Sequence, residues 1–244
     1  MNIIAIARNP INSPGMEDRD RAILHAVARE LELLGDNVNI IDPREEVKTP
    51  RFGEYVDNLY KKRQRRGLSK FDATQLITNR NYYAASMVEF GDADTLISGL
   101  TRNYASTIKP ALQVIGAKPG SRIAGMYMML TEKGPLFFGD TTVNENPTAE
   151  ELADITVLIE KTVRRFNVKP RVALLSYSNF GSNDGPTSIK VREAVKLLHQ
   201  NHPNIVVDGE LQANFALNSD LLKSNFPFST LNGEAANTLI FPNL

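Results

Sequence analysis

The 244-residue sequence has no cysteine, no tryptophan and no excess of either charge. Without cysteine there can be no disulfide bond, no thiolate nucleophile and no thiolate-bound metal. The 28 basic and 28 acidic residues cancel, so electrostatics do not favour a nucleic acid or a membrane surface as partner. No apolar run is long enough to span a bilayer, and MNIIAIARNP does not have the regions of a signal peptide. We therefore expect a cytoplasmic protein.

Motifs of several enzyme classes are also absent. There is no Walker A motif, no GxGxxG and no GxSxG, which argues against a P-loop nucleotidase, a hydride-transfer enzyme and a serine hydrolase. His25, His199 and His202 do not have the HxxxH or HxH spacing of a metal site, so we expect no bound metal. No catalytic residue is therefore identified by motif.

Short aliphatic segments alternate with amphipathic patterns, which is typical of βαβ units and a mostly parallel sheet, so the expected class is α/β. The predicted strands are 2–7, 37–41, 94–98, 123–130, 171–178, 204–207 and 238–241. The predicted helices are 18–34, 148–165 and about 187–200. Thr148 is expected to be the N-cap of the second helix, with Glu151 completing a capping box.

The segment AKPGSR (117–122) is the best candidate for a boundary, because Pro119 and Gly120 break helices and strands alike. We interpret it as the hinge between two α/β lobes, the first at 1–120 and the second at 121–244. An ordinary helix-to-strand turn would have the same composition, and this alternative stays open.

A polar segment after the predicted strand 171–178 is the first candidate site. LLSYSNFGSNDGPT (174–187) changes from aliphatic residues to serine, asparagine and glycine before a helix starts at Pro186. In open α/β sheets, ligands bind beyond the carboxyl ends of strands, where helix N-termini present free N–H groups to anions. The polar side chains available there are Ser176, Ser178, Asn179 and Ser182. The alternative is a polar surface loop with a helix cap.

A second segment, GDADTLISGLTRNYASTIKP (91–110), repeats this arrangement of strand, polar loop and helix. Arg102 and Lys109 could face an anion, and two such loops in one chain suggest a phosphorylated ligand in a shared cleft. In the alternative interpretation, Asp92 and Asp94 are turn residues and Lys109 is solvated.

Two further segments carry charge. KKRQRR (61–66) is interpreted as a solvated helix face, although one of its arginines could turn inward. VDGELQAN (207–214) places Asp208 and Glu210 directly after a predicted strand, where carboxylates can act as acid, base or magnesium ligand. We favour the other interpretation, in which such carboxylates accept backbone N–H bonds and hold loops together.

In their order along the chain, these segments resemble the phosphotransacetylase family, and most closely its version fused to the C-terminus of bacterial NADP-dependent malic enzymes. The matching segments are IDPREE, LYKKRQRRGL, GDADTLISGL, IKPALQVIG, FFGDTTVNENPTAEELADI, PRVALLSYSNFGS, KVREAV, VDGELQAN and NTLIFPNL. They extend from about Ile41 to Leu244, and the ordered set is specific although each segment alone is weak.

The resemblance implies two three-layer α/β/α lobes with mostly parallel sheets and an interlobe cleft, as in phosphotransacetylases and isocitrate dehydrogenases. It also implies a dimer built largely through the second lobe. In the true transferases, acetyl passes between phosphate and coenzyme A, arginines hold the phosphate, and a serine–arginine–aspartate group acts late in the chain. That late group is not found before Leu244, and residues 1–40 do not match the usual opening of the family.

By position in the family pattern, Arg63 matches one phosphate-contacting arginine. Lys109 stands where the second is expected, keeping the charge but losing the bidentate fork. The loop at 100–104 has bulkier side chains than the histidine- and serine-containing loop of the transferases. The residues expected to bind ligand are Arg63, Ser98, Arg102, Asn103, Thr107, Lys109, Ser176, Ser178, Asn179 and Ser182.

These differences predict a regulatory domain of an NADP-dependent malic enzyme. It would bind acetyl-CoA or a related acyl-CoA and convey that state to a malate-oxidising domain of the same polypeptide, which would hold NADP and the divalent metal. The enzyme alternative is an active phosphate acetyltransferase, and a third interpretation is a dimerisation module without a ligand. We also expect a homo-oligomer.

Overall fold

The computed structural model of the protein describes residues 2–6, 26, 29–30, 33, 37–99, 103–117 and 120–244. The chain divides into two compact units, Met1–Ala117 and Lys118–Leu244. Helices separate the parallel strands of the second unit along the chain, and four of the five strand pairs in the described residues are parallel. The predicted α/β class with mostly parallel strands is therefore confirmed.

The first unit combines a parallel strand pair with a group of helices. The strands are β1 (Asn2–Ile6) and β2 (Asn37–Ile41). The helices are α1 (Pro50–Arg63), α2 (Lys70–Ile77), α3 (Arg80–Phe90) and α4 (Tyr104–Val114). The helix predicted over 18–34 lies mostly outside the described residues, of which 26, 29–30 and 33 are helical.

The helices of the first unit pack around an aromatic core. Tyr83 lies between Tyr55 and Phe52, with its ring centroid 5.2 Å and 6.4 Å from theirs. Leu59, Ile77 and other aliphatic residues complete a buried cluster around these rings. The cluster gives α1 one apolar face. In the 61–66 segment, which begins at the end of α1, Arg63 is half-buried and the other basic residues are exposed.

The strand predicted over 94–98 is wrong, because these residues form no strand. Leu96 packs against the core of the first unit, but Ile97 is 92% exposed. A half-buried strand covers alternate residues, and the covered face here would carry Asp94 and Ser98 beside Leu96. Two polar residues around one leucine do not provide the apolar face that such a strand requires.

Asp92, a turn residue in the alternative interpretation of segment 91–110, is the centre of an ionic group. Its carboxylate accepts hydrogen bonds from Arg51 Nε at 2.7 Å and from the hydroxyl of Tyr55. The guanidinium of Arg51 also pairs with Glu54 and lies over the ring of Phe90. The Arg51 hydrogen bond lowers the pKa of Asp92 below its ordinary value near 3.8.

This lowered pKa predicts how Asp92→Asn changes the pH dependence of stability. Because the pKa of Asp92 is lower in the folded protein than in the unfolded chain, the unfolded chain protonates this carboxylate more readily. The charged carboxylate therefore stabilises the fold above about pH 4. That contribution is lost as the pH falls through the folded pKa of Asp92. We expect Asp92→Asn to be less stable than the parent protein at pH 7 and to approach it at the acidic end of the pH range.

Urea unfolding followed by far-UV circular dichroism between pH 7 and pH 2.5 measures this difference. Asp94→Asn is the matched control, because Asp94 is exposed two residues away. If the difference in the free energy of unfolding between the Asp92→Asn and parent proteins does not change with pH, the lowered pKa assigned to Asp92 is contradicted.

The second unit is built on a five-stranded sheet. Its strands are β3 (Met126–Thr131), β4 (Gly134–Gly139), β5 (Val172–Leu175), β6 (Val207–Leu211) and β7 (Thr238–Ile240). Their order across the sheet is β3-β4-β7-β5-β6, and β3 alone runs antiparallel to its neighbour. The helices are α5 (Ala149–Arg165), α6 (Pro186–Asn201), α7 (Ala213–Ala216) and α8 (Ser219–Asn225).

Helices cover both faces of this sheet, and β5 shows how its residues divide between them. Val172 and Leu174 belong to a buried cluster with residues of α5 and α6. Ala173 and Leu175 belong to a second cluster with residues of α7 and α8. Alternate residues of a strand point to opposite faces, so an uninterrupted aliphatic strand is what two covered faces require.

The starts of two helices in the second unit agree with the predictions from the sequence. Thr148 is the N-cap of α5, and its side chain and that of Glu151 form the expected capping box. The helix predicted near 187 begins at Pro186, where a proline is tolerated because the first helical N–H has no partner. Both confirmed features depend only on residues that are neighbours in the sequence.

The strand predicted over 204–207 lies further along the chain in the structure, where it is β6. The strand begins at Val207 rather than at 204, because the residues after α6 first form a turn in which the Ile205 N–H donates to the His202 carbonyl. Asp208 and Glu210 therefore lie within the strand and not after it. Both are buried, in agreement with the structural role that was favoured for them.

Candidate functional site

The carboxyl ends of β4, β5, β6 and β7 lie along one edge of the sheet, because these four strands are parallel. The loop after β4 (140–148) and the loop after β5 (176–185) both start at this edge. In open α/β sheets, this is the edge at which ligands bind. The polar segment identified in the sequence therefore lies where a binding site is expected in the second unit.

Glu210 organises the loop after β5. Its side chain is fully buried, and Oε1 accepts hydrogen bonds from the Ser178 hydroxyl at 2.6 Å and from the Gly181 N–H at 2.9 Å. The Ser178 Oγ also accepts the N–H of Asn183 at 3.0 Å. A buried carboxylate must be paired to be tolerated, and here it is paired with the loop itself. The hydroxyl of Ser178 is thus committed to the architecture of the loop.

The other three predicted residues of this loop also hold it together. Ser176 Oγ accepts the N–H of Ser178 at 3.1 Å, and Ser182 Oγ accepts the N–H of Asn179 at 3.0 Å. Asn179 Oδ1 accepts the N–H of Gln212 at 2.7 Å. The structure therefore brings all four predicted residues of the second unit into one hydrogen-bonded loop with a fixed shape.

Arg192, on α6, brings a positive charge to the same loop. Its Nε lies 3.5 Å from Glu210 Oε2, and its Nη2 donates to the carboxylate of Asp184 at 2.6 Å. The hydrogen bond with Asp184, helped by the charge of Glu210, raises the pKa of Arg192. Arg192 was not predicted from the sequence, although KVREAV contains it, because its partners Glu210 and Asp184 act on it only in the folded loop.

Asp140 organises the loop after β4. Its carboxylate is buried and accepts the backbone N–H groups of Gly125, Thr142, Val143 and Asn144 at 2.9 to 3.1 Å. The side-chain amide of Asn144 donates to it as well. Several converging N–H groups form a cradle for an anion, and in this cradle the anion is the protein's own carboxylate. The loop after β4 is therefore fixed from within.

Lys190, one turn into α6, connects the loop after β4 with the segment after β7. Its Nζ donates to Asn146 Oδ1 at 2.9 Å and to the Pro242 carbonyl at 2.7 Å. Burial lowers the pKa of Lys190. Both of these acceptors, which lie in the described part of the chain, are neutral. Lys190 therefore ties the loop after β4 to the segment after β7 at the carboxyl edge of the sheet.

In the first unit, Arg63 is the last residue of α1 and is half-buried. Tyr82 is close enough for the charge of Arg63 to act against the rise that burial causes in the tyrosine's pKa. Among residues 37–99 and 103–117, none forms a hydrogen bond or ion pair with its guanidinium. By contrast, Lys62 in the same basic segment is held by Glu89 and by the Val114 carbonyl at 2.5 Å.

The remaining predicted residues of the first unit lie around the start of α4. Asn103 is the N-cap, and its side chain accepts the Ser106 N–H at 2.9 Å. Thr107 donates its hydroxyl to the Asn103 carbonyl, and Ser98 donates its hydroxyl to Asn81 Oδ1. Lys109 is exposed, and Arg102 lies outside the described residues. Local hydrogen bonds therefore account for the side chains of Asn103, Thr107 and Ser98.

The described residues contain neither a metal-binding cluster nor a membrane-spanning helix. No three histidine, aspartate, glutamate or cysteine side chains come together there as a metal site requires. None of the helices in this part of the chain combines the length and apolarity needed to cross a bilayer. The buried carboxylates of the second unit are held by hydrogen-bond donors of the protein instead.

The sequence matches the phosphate acetyl/butaryl transferase family over residues 16–244. An NADP-dependent malic enzyme from Rhizobium meliloti (strain 1021) is 38% identical over 241 residues, which are 98% of this chain and 31% of that protein. A phosphate acetyltransferase from Nitratidesulfovibrio vulgaris is 38% identical over 216 residues, which are 88% of this chain and 30% of that protein. The chain thus spans less than a third of the length of either relative.

A solved structure supports the same relationship. A phosphotransacetylase from Streptococcus pyogenes matches 100% of this chain and 78% of its own chain, with a TM-score of 0.77 and 27% sequence identity. The family match covers most of the chain, including both loops at the carboxyl edge of the sheet. The resemblance found in the sequence is confirmed, and the chain belongs to the phosphate acetyl/butaryl transferase family.

Proposed function

We propose that this chain is the phosphotransacetylase-like regulatory domain of an NADP-dependent malic enzyme, acting in the cytoplasm. It binds acetyl-CoA or a related acyl-CoA as an allosteric effector. The bound state is conveyed to a malate-oxidising domain of the same polypeptide, which holds NADP and a divalent metal. The alignment of 98% of the chain with part of a malic enzyme supports this proposal.

The half-buried residue Arg63 is the observation that carries the ligand assignment. A partly buried cation is normally paired, yet none of the described residues forms a hydrogen bond or ion pair with this one. Its fork of donors suits a phosphate group, and an acyl-CoA carries several phosphates. The neighbouring Arg65 of the same basic segment is exposed, so burial distinguishes Arg63 from it.

The arrangement of the serine loop favours a binding role over catalysis. Ser178 and Ser182, which could otherwise present hydroxyl groups to a reacting ligand, accept loop N–H groups, and Ser178 also donates to Glu210. Lys109 stands where the transferases are expected to carry a second arginine, and it provides no bidentate fork. These features support ligand binding without the full set of groups for acetyl transfer.

Calorimetric titration of the protein with acetyl-CoA tests the proposal. We expect saturable binding, and we expect Arg63→Ala to weaken it by about 10- to 100-fold. A hydrogen bond to a charged group contributes about 1.5–3 kcal/mol, and each 1.4 kcal/mol is a factor of ten in affinity.

Arg65→Ala is the matched control, because it removes an exposed arginine from the same segment. Its affinity should stay within about twofold of the parent protein. Equal affinities for the Arg63→Ala and parent proteins would remove Arg63 from the site, and absence of binding to the parent would contradict the proposed ligand.

The second candidate is an active phosphate acetyltransferase, favoured by the kinship with the enzyme of that name from Nitratidesulfovibrio vulgaris. In that reaction the thiol of coenzyme A attacks the carbonyl of acetyl phosphate, loses its proton and displaces phosphate. Incubating the protein with acetyl phosphate and coenzyme A, and measuring the thioester formed, separates the candidates. Turnover well above the protein-free rate would replace the purely regulatory assignment.

A further inference from the structure

Two phenylalanine rings meet beside the loop after β5, and one of them is open to solvent. Phe180 belongs to this loop, and Phe228 follows α8. Their ring centroids lie 4.9 Å apart, and the ring of Phe226 lies 5.0 Å from that of Phe180. Phe180 and Phe226 pack against the buried cluster that includes residues of α7 and α8, whereas Phe228 is 67% exposed. An uncovered aromatic ring therefore lies next to a loop at the carboxyl edge of the sheet.

The backbone of Phe180 is held in a conformation that a phenylalanine rarely adopts. Its φ is +42°, in the left-handed region where a bulky side chain is strained and a glycine is not. Two hydrogen bonds to Glu210 hold it there, because the Phe180 N–H donates to the Glu210 carbonyl at 3.0 Å and the Gly181 N–H donates to the Glu210 carboxylate at 2.9 Å. Strained residues of this kind cluster at ligand-binding positions, which directs attention to the ring that Phe180 supports.

The chain next to Phe228 is anchored to β6. Ser229 is buried and donates its hydroxyl to Asp208 Oδ2 at 2.8 Å, and the Thr230 N–H donates to the same oxygen at 2.8 Å. The Ser229 N–H donates to the Phe226 carbonyl at 3.0 Å, which closes a turn around Phe228. An aromatic ring that is already held in position loses little conformational entropy when a ligand covers it. Phe228 thus combines exposure with a fixed backbone, as a stacking surface requires.

The apolar surface around Phe228 has the size of a small ligand and not of a protein partner. In the sequence it is flanked by the exposed residues Ser224, Asn225, Pro227 and Thr230, three of which are polar. A stable protein interface covers about 800 Å² on each partner, far more than one ring and one proline provide. A single planar ring system matches this surface, because aromatic rings pack with their centroids about 4.5–7 Å apart.

We propose that Phe228, supported by Phe180, stacks on the adenine ring of a nucleotide. Stacking of a base on an aromatic side chain needs no hydrogen bond from the protein to the base, which suits a phenylalanine. The nucleotide is the adenosine 3′,5′-bisphosphate part of an acyl-CoA, and this assignment rests on the proposed function. A free adenine nucleotide presents the same ring, and the choice of probe separates the two sources.

Phe228→Trp gives a direct readout of stacking, because the chain has no tryptophan of its own. A stacked adenine quenches indole fluorescence, so titration with adenosine 3′,5′-bisphosphate should reduce the emission to a constant level at saturation. Phe166→Trp is the matched control, because Phe166 is 49% exposed and follows α5, which leads away from the carboxyl edge of the sheet. Its emission should fall only in proportion to the nucleotide concentration, without saturation.

Calorimetry of Phe228→Ala identifies the source of the adenine ring. This variant should bind acetyl-CoA about 5- to 100-fold more weakly than the parent protein, and Phe228→Tyr, which keeps a ring, should stay within about threefold of the parent. If Phe228→Ala binds acetyl-CoA as tightly as the parent, or if the Phe228→Trp emission does not saturate, the stacking proposal is overturned and the proposed function is not. If the parent binds the bisphosphate but not acetyl-CoA, the stacking surface serves a free nucleotide and the proposed function fails.

Discussion

Replacing Asp140 by alanine is expected to lower the free energy of unfolding by about 3–5 kcal/mol. The buried carboxylate accepts four backbone N–H groups and one side-chain amide in the loop after β4. Each buried donor left without an acceptor costs about 1–3 kcal/mol, and partial relaxation toward water keeps the total below a simple sum. Because the chain has no tryptophan, urea unfolding is best followed by far-UV circular dichroism.

Two further variants separate the carboxylate's hydrogen bonds from the simple loss of a charge. Asp140→Asn keeps one acceptor oxygen but points an amide N–H at the same donors, so we expect an intermediate loss. Asp154→Ala removes a carboxylate that is 64% exposed and should change stability by less than about 1 kcal/mol. A loss for Asp140→Ala no larger than that for Asp154→Ala would show that the loop does not depend on this cradle.

Replacing Glu210 by alanine is expected to cost about 2–4 kcal/mol and to loosen the serine loop. The change removes the acceptor of the buried Ser178 hydroxyl and of the Gly181 N–H, and it leaves a void where the side chain was. Hydrogen exchange should report the second effect directly. The amides of Gly181 and Asn183 should exchange faster, while amides of α5 keep their relative protection.

Glu193→Ala is the matched control for this variant, because Glu193 lies beside Arg192 on α6 but is exposed. We expect its stability to stay within about 0.5 kcal/mol of the parent protein. Glu210→Gln should fall between the two alanine variants, since its carbonyl oxygen can still accept one of the two hydrogen bonds. Unchanged exchange at Gly181 in Glu210→Ala would contradict the role assigned to this carboxylate.

The parts of the fold that the sequence predicted are those fixed by neighbouring residues. The capping box of Thr148 and Glu151 and the helix start at Pro186 need no distant partner, and both are confirmed. The strand β4 was missed because Gly134 and Pro135 lower strand propensity where the tertiary structure nevertheless forms a hairpin. Such an element depends on the partner strand β7, which comes much later in the chain.

The candidate site shows the same division. The polar loop after β5 could be found in the sequence, because an aliphatic run that ends in serine and asparagine is a local pattern. The contacts that hold this loop could not be found in the same way, because Glu210 and Arg192 come from a different strand and a helix. The two carboxylates of VDGELQAN were assigned a structural role correctly, but they were placed after β6 and not within it.

The position of β7 has a consequence for how the chain is made. This three-residue strand lies between β4 and β5, although it is the last of the described strands in the sequence. Until it leaves the ribosome, the β3–β4 hairpin and the β5–β6 pair have no strand to join them. The contacts that close the sheet span a long stretch of sequence, which slows folding. During synthesis, the sheet of the second unit therefore cannot close before residues 238–240 are available.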